Sequence, residues 1–260
     1  MNAVPIERLV DPRRRPNAGG LLQDGFDVDT HWHAHDMHQI QYAFDGSIEV
    51  EGERSRYLAP RQLAVFIPAG VAHRTRLHRV RSGSVLFGPD MIPDAGDRVR
   101  IVAVPPLMRE MIIGAMRWPL SQPQDAVGRA YFAAFALLCA EWIREEAPLW
   151  LPTTMDERLR AAAEATRADL AGADLAQAVR AAGMSERTLR RRFRRELGMT
   201  WEAYRRRARL MRAVELLAEA AEPIGVVAAR SGFESQSAFA KAFRDLMGET
   251  PRAFRARTGR

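Results

Sequence analysis

The sequence predicts an α+β chain: a small N-terminal β-barrel or sandwich, a helical middle, and an all-α C-terminal third. Three observations predict it. Short β-branched or aromatic runs broken by Gly, Pro and Asp crowd the first hundred residues. Longer apolar runs with helical spacing follow. From about residue 153 onward the helical pattern repeats itself.

The strand runs include "SIEVEGERSRYLAP" and "QLAVFIPAG", which place a compact β-domain at 21–100. Residues 1–20 are expected to form a flexible arm. Helices and a linker are expected over 101–152. There "PPLMREMIIGAMRW" opens on prolines suited to a first helical turn, and "RAYFAAFALLCAEWIREE" spaces Phe132, Phe135, Leu138 and Trp142 on one side. "APLWLPTT" reads as the linker, and 153–260 as a separate helical domain.

Composition narrows the function classes. With 47% hydrophobic residues the 260-residue chain can bury a sizeable core. The single cysteine, Cys139, excludes an internal disulfide and a Cys-rich zinc site, and fits a reducing compartment. The N-terminal stretch has no apolar signal-peptide core, and the run "AYFAAFALLCAEWI" is shorter than the roughly 20 residues that span a bilayer. A soluble, cytoplasmic protein with no membrane partner is therefore expected. Net charge is +7, but 19 basic against 10 acidic residues lie from Asp174 to Arg260, and 20 against 22 in the rest. The basic excess belongs to the last third, and points to a polyanionic partner there.

That third contains an internal repeat. "LAQAVRAAGMSERTLRRRFRRELGMTWEAYR" aligns with "IGVVAARSGFESQSAFAKAFRDLMGETPRAFR". Gly183 matches Gly232; after one extra residue in the turn, Ser185 matches Ser235, Leu189 Phe239, Phe193 Phe243, Leu197 Met247 and Gly198 Gly248. Each unit reads as helix, Gly-containing turn, helix: a helix-turn-helix. Ser185 and Ser235 fall where an N-cap is needed. Leu189, Phe193 and Leu197, like Phe239, Phe243 and Met247, make one buried stripe at i, i+4, i+8. The remaining face of the first unit carries Arg187, Arg190, Arg191, Arg194 and Arg195; that of the second carries Gln236, Ser237, Lys241 and Arg244. A helix fits the major groove, where Arg pairs with guanine and Gln with adenine.

These residues resemble the DNA-binding domain of the AraC/XylS family of bacterial transcription regulators, over about 156–258. "SGFESQSAFAKAFRDLMGETP" carries the likeness most specifically. The resemblance implies two helix-turn-helix units joined by a long helix, here "TWEAYRRRARLMRAVELLAEA" with Leu210, Val214 and Leu217 inward. It also implies that Arg187, Arg190, Arg191 and Arg194 face DNA from the first recognition helix. From the second, Gln236, Ser237, Ala240, Lys241 and Arg244 would do so. The implied partners are double-stranded operator DNA, a small-molecule effector, a second copy of the chain and, for an activator, RNA polymerase.

Four of the six histidines lie within the eight residues from His31 to His38, and His73 and His78 follow. In "HAHDMHQIQYAFDG" and "PAGVAH", His33, His35, Gln39 and His73 have the spacing of the two metal motifs of the cupin barrel, which they resemble. Alternate residues of a strand share a face, so His33 and His35 can point inward together. The resemblance implies a divalent transition metal or an effector on His33, His35, Gln39 and His73; imidazole and carboxamide suit Fe, Ni, Zn, Mn or Cu. Gln39 stands where the motif more often has Glu, Gln62 where it has Gly, and Leu77 where it has Asn. An empty or organic-ligand pocket remains the alternative. His31 and His38 are read as surface residues or alternate ligands.

Three functions compete. A ligand-responsive, sequence-specific transcription regulator leads, and it is not an enzyme. A cupin metalloenzyme with an accessory DNA-binding domain is the alternative, but the sequence offers no further acid or base. A DNA-alkylation repair regulator needs a reactive cysteine cluster, whereas Cys139 stands alone in an apolar helix.

Overall fold

The computed structural model describes residues 6–7, 16–23, 27–53, 55–60, 63–77, 80–219 and 222–258. Most of the expected N-terminal arm, His78 and Gln62 lie outside them. The chain divides into two compact units. The first takes the chain up to Gly52 and Tyr57–Leu149; the second takes Glu53–Arg56 and the chain from Trp150 onward.

The first unit is built on antiparallel sheets. Strands β1 (Ile6–Glu7), β2 (Ala18–Gln23), β3 (Val28–Asp29), β4 (Ala34–His35), β5 (His38–Ala43) and β6 (Ser47–Gly52) come first. β7 (Ser55–Pro60), β8 (Leu63–Ile67), β9 (His73–Leu77), β10 (Ser82–Phe87) and β11 (Arg100–Ala103) follow. One sheet has the order β11-β8-β5-β10-β2, and a second contains β7-β6-β9-β3. Among the described residues no ladder joins the two sheets, so the arrangement is an open sandwich and not one closed barrel.

Register assigns the faces. Gln41 lies opposite Ser84 and Val65, and Gln39 opposite Leu86 and Ile67, so these share one face of the first sheet. The other face carries Ile40, Tyr42, Phe66, Val85 and Phe87. Helices α1 (Pro106–Ala115) and α2 (Ala126–Trp142) cover that second face with Met108, Ile112, Phe132, Phe135 and Cys139. Coverage on both sides explains why every residue of β8 and β10 is buried. β6 and β9 instead alternate, burying Ile48, Val50, Thr75 and Leu77 between half-exposed neighbours.

Two expectations about boundaries change here. Ile6–Glu7 pairs in parallel with β4, and Ala18–Gln23 pairs along its whole length with β10, so parts of the expected arm belong to sheets. Glycine makes this possible at residues 19 and 20. A Cβ on Gly19 would lie 2.5 Å from the Leu120 backbone, and one on Gly20 2.6 Å from the Ala115 carbonyl oxygen. The α1–α2 connection is bonded to the same strand through Gly20 N–H to Trp118 O (2.9 Å). The expected separate segment at 101–152 is likewise part of the first unit up to Leu149, because β11 extends the sheet and both helices bury their apolar sides on it. Of the predicted α2 stripe, Phe132 and Phe135 are buried, while Leu138 and Trp142 are half-buried.

The second unit begins with the short strand β12 (Trp150–Pro152) and continues as helices. These are α3 (Glu157–Ala168), α4 (Leu175–Ala182), α5 (Glu186–Leu197), α6 (Trp201–Glu219), α7 (Ile224–Arg230), α8 (Gln236–Met247) and α9 (Pro251–Thr258). Both units of the repeat form as the sequence predicts. Ser185 accepts from Thr188 N–H at 3.3 Å and Ser235 from Ala238 N–H at 3.2 Å. Gly183, Gly198 and Gly248 end helices with φ of 59°, 68° and 73°, a conformation open to glycine at little strain. The extra residue of the second turn falls between Gly232 and Ser235, and α7 ends with Ser231 as its C-cap.

The repeat extends into the core. Phe193 meets Tyr204 nearly edge-on at 5.5 Å, and Phe243 meets Phe254 likewise at 5.5 Å. Leu210, Val214 and Leu217 of α6 are buried, as their spacing requires. No helix among the described residues is long and apolar enough to cross a membrane.

Candidate nucleic-acid interface and histidine pocket

In each helix-turn-helix the second helix buries one stripe and exposes the rest. Leu189, Phe193 and Leu197 of α5 are buried; in α8 Phe239 and Phe243 are buried and Met247 is half-buried. Arg187, Arg190, Arg191 and Arg194 are all exposed on α5, as are Gln236, Ser237, Lys241 and Arg244 on α8, with Ala240 half-buried.

The arginines of α5 are not equivalent. Arg190 donates to Glu186 at 2.9 Å and also pairs with Glu202 at the start of α6. Arg192 bridges Asp156, the N-cap of α3, at 2.5 Å and Glu196 at 3.1 Å. Arg195 pairs with Glu196 at 2.8 Å. Arg187, Arg191 and Arg194 have neither ion pair nor side-chain hydrogen bond among the described residues, and neither have Lys241 and Arg244. The Glu186–Arg190 spacing of i, i+4 was a legible signal for one of these pairs. The link to Glu202 was not, because it depends on how α6 leaves the turn.

The histidine cluster assembles by backbone pairing. His33 and His73 exchange two backbone hydrogen bonds, at 3.0 and 2.9 Å, so their side chains stand on one side, ring centroids 4.2 Å apart. His35, two residues on, joins the same side at 5.0 Å from the His73 ring. One ring nitrogen from each of His33, His35 and His73 lies within 4.8 Å of the others. Each Nδ1 bonds a backbone carbonyl two residues away: His31 O (2.9 Å), Met37 O (2.7 Å) and Val71 O (2.9 Å). Nδ1–H therefore donates and Nε2 is the nitrogen left free in the neutral ring.

Gln39 completes the group. Its Oε1 lies 2.9 Å from His35 Nε2, and its amide nitrogen donates to Ser84 Oγ at 2.8 Å. With His35 Nδ1 already donating, a proton on Nε2 as well would make the ring cationic. Burial opposes that: it lowers the His35 pKa and pushes His73 down to about 3. Two arrangements remove the conflict. The Gln39 amide turned over would donate to Nε2 and accept from Ser84. Alternatively an ion could sit between them, since two ligands each about 2.1 Å from one metal stand about 3 Å apart at a right angle. The donor set thus fits a divalent transition metal.

The other two described histidines, His31 and His38, do not join. His38 lies on the helix-covered face, stacked on Phe66 at 5.9 Å. Its Nδ1 accepts from Ala69 N–H (2.9 Å), so Nε2–H donates to Pro89 O (3.2 Å). It is a buried structural histidine, not a surface residue or an alternate ligand. His31 is exposed, and Leu77 is buried in β9. The sequence did not point to Gln41. It lies on the same face as Gln39, 3% exposed, and its Oε1 has no hydrogen-bond partner among the described residues. Cys139 is buried among helix side chains, and burial pushes its thiol pKa up, which leaves it unreactive.

The second unit is thus a double helix-turn-helix DNA-binding domain. Residues 178–257 match the family described as "Helix-turn-helix domain". The chain is 25% identical to the HTH-type transcriptional regulator NimR of Escherichia coli (strain K12) over 226 residues, covering 86% of this chain and 82% of that protein. It is 42% identical to the HTH-type transcriptional activator RhaR of Pectobacterium atrosepticum over 73 residues, 28% of this chain and 26% of that protein. An AraC-type regulator structure from Chromobacterium violaceum, 28% identical, covers 40% of this chain and 93% of its own, with a TM-score of 0.38. Residues 178–257 thus carry a helix-turn-helix domain, and the chain is similar to HTH-type transcription regulators.

Proposed function

We propose that the protein regulates transcription by binding an operator duplex through α5 and α8, and that its histidine pocket receives the signal. The carrying observation is the repeat: two helix-turn-helix units present equivalent solvent faces, one rich in arginine and one in Gln, Ser, Lys and Arg. Phosphate contacts would come mainly from Arg187, Arg191 and Arg194, and base contacts mainly from Gln236, Ser237, Ala240, Lys241 and Arg244. Footprinting on a duplex selected by the full-length protein from a random library tests this. Two protected major-groove segments about 10 bp apart per protomer are expected. A single protected segment would refute the reading.

The pocket would hold a divalent metal on His33, His35, His73 and Gln39, or an effector hydrogen-bonded to the same groups. The convergence of three rings with Nδ1 engaged supports this. We read it as a sensor and not a catalyst, because among the described residues no Cys, Asp or Glu side chain clusters with the three histidines. An effector changes DNA affinity only by its differential affinity for two arrangements of the protein, typically about 1–3 kcal/mol. Metal analysis of untagged protein tests occupancy, and His33 and His73 replaced together should abolish both metal content and effector response. An unchanged response would remove the pocket from the signalling route.

We further propose a homodimer, in a cytoplasmic location, with RNA polymerase as a partner if the protein activates. On α2, Val127 and Leu137 are 60% and 70% exposed, and the exposed Ala130, Ala133 and Ala134 leave room for a second helix. Sedimentation of Leu137→Glu as a monomer against a dimeric parent is the expected outcome.

A further inference from the structure

We propose that a groove between α6 and α8 seats the DNA backbone between the two major-groove contacts, with Arg206 as the phosphate ligand. The proposal rests on the reading that α5 and α8 are the DNA-reading helices. The groove has a volume of about 560 Å³. One wall is Glu202, Arg205, Arg206 and Arg209 of α6; the other includes Ala238, Lys241, Ala242 and Asp245 of α8. Both sets are spaced i, i+3, i+4, i+7, so each is a single helix face.

Its position follows from contacts at its two ends. Glu202 is paired with Arg190, which projects from α5. Lys241 stands on α8 at the border between the groove and the exposed reading face. The groove therefore opens between the two reading helices, where a duplex engaging both must pass its intervening backbone.

The charges differ in availability. Arg205 donates to Ala173 O at 2.7 Å and lies over the Trp201 ring; Arg209 donates to Leu170 O at 2.7 Å. Both brace the segment between α3 and α4. Arg206 is exposed, and its side chain makes no ion pair or hydrogen bond among the described residues. Of the three acids lining it, Glu202 is occupied by Arg190, Glu234 interacts with Arg209, and Asp245 stands on the α8 wall. Ala238 and Ala242 leave the α8 wall low, giving space for a phosphodiester against α6. Sequence order hides this role, because Arg206 sits in the run "RRRAR", whose other arginines are held within the protein.

The test uses the full-length protein and a duplex it selects from a random library, titrated across salt. Arg206→Ala should lower the slope of log affinity against log salt by about 0.9 per bound protomer, and affinity about eightfold at 0.1 M salt. Arg206→Lys should restore most of the slope. Base preferences in a repeated selection should not change. Ethylation of phosphates between the two protected segments should interfere with the parent and lose that effect with Arg206→Ala. An unchanged slope and interference pattern in Arg206→Ala would overturn the groove assignment while leaving the two-helix reading intact. A parent that protects only one segment would instead overturn that reading, and the groove assignment with it.

Discussion

The two recognition helices stand on the same scaffold and carry different chemistry. α5 and α8 have matching N-caps, matching glycine ends and matching aromatic contacts to the following helix. Yet α5 exposes only arginines among its DNA-facing candidates, and α8 exposes two neutral polar side chains with one lysine and one arginine. Arginine is both a phosphate ligand and a guanine reader, whereas glutamine reads an adenine edge and binds phosphate weakly. The difference teaches that the scaffold is set by buried positions and the division of labour by exposed ones. On the proposed reading, α5 would mainly grip and α8 mainly discriminate.

The strongest way to break the comparison is to attack what the helices share. Phe193→Ala and Phe243→Ala each remove a fully buried ring. Each should destabilise the second unit by about 3–5 kcal/mol, measured by denaturant unfolding. If only one of the pair is costly, the two units are not structurally equivalent.

Next in size is removal of the free cations of α5. Arg187, Arg191 and Arg194 replaced together by alanine should lower affinity on the order of several hundredfold at 0.1 M salt and flatten the salt slope by about 2.7. Base preferences at the α5 half of the site should shift less than the slope does. A large change in preference with an unchanged slope would make α5 the reader.

Gln236→Ala sharpens the other side. It should relax preference at one base position, worth about 1–3 kcal/mol there, and leave the salt slope as it was. Selection from a random library by the variant reads both quantities.

The smallest effect is expected at Arg190. Its guanidinium is held by Glu186 and Glu202, which also raise its pKa. Arg190→Ala should change the salt slope by less than the loss of one contact. A full unit of slope would show that the pairs open when DNA binds.

Much of the second unit was legible because its signals are local. Ser185 and Ser235, the three left-handed glycines, and stripes at i, i+4, i+8 act within a few residues along the chain. The repeat doubled the evidence. Of the exposed candidates, only Arg190 needed reinterpretation, since its second partner comes from the next helix. In the first unit the cupin-like spacing indicated which histidines to compare, but not why they meet. That depends on the backbone pairing of His33 with His73, forty positions further along the chain, and on β5 turning Gln39 to one face and His38 to the other.

The sequence by itself indicated the two helix-turn-helix units with their N-caps and glycines, most of the buried stripes, the basic bias of the last third and which four side chains to compare in the pocket. Tertiary structure alone decided that Ala18–Gln23 is a strand. Its Gly19–Gly20 pair favours flexibility until β10 and the α1–α2 connection supply hydrogen bonds and a close approach. It also decided which arginines are free, because an ion pair is chosen by distance in space and a recognition helix cannot tell from its own sequence which carboxylates will face it.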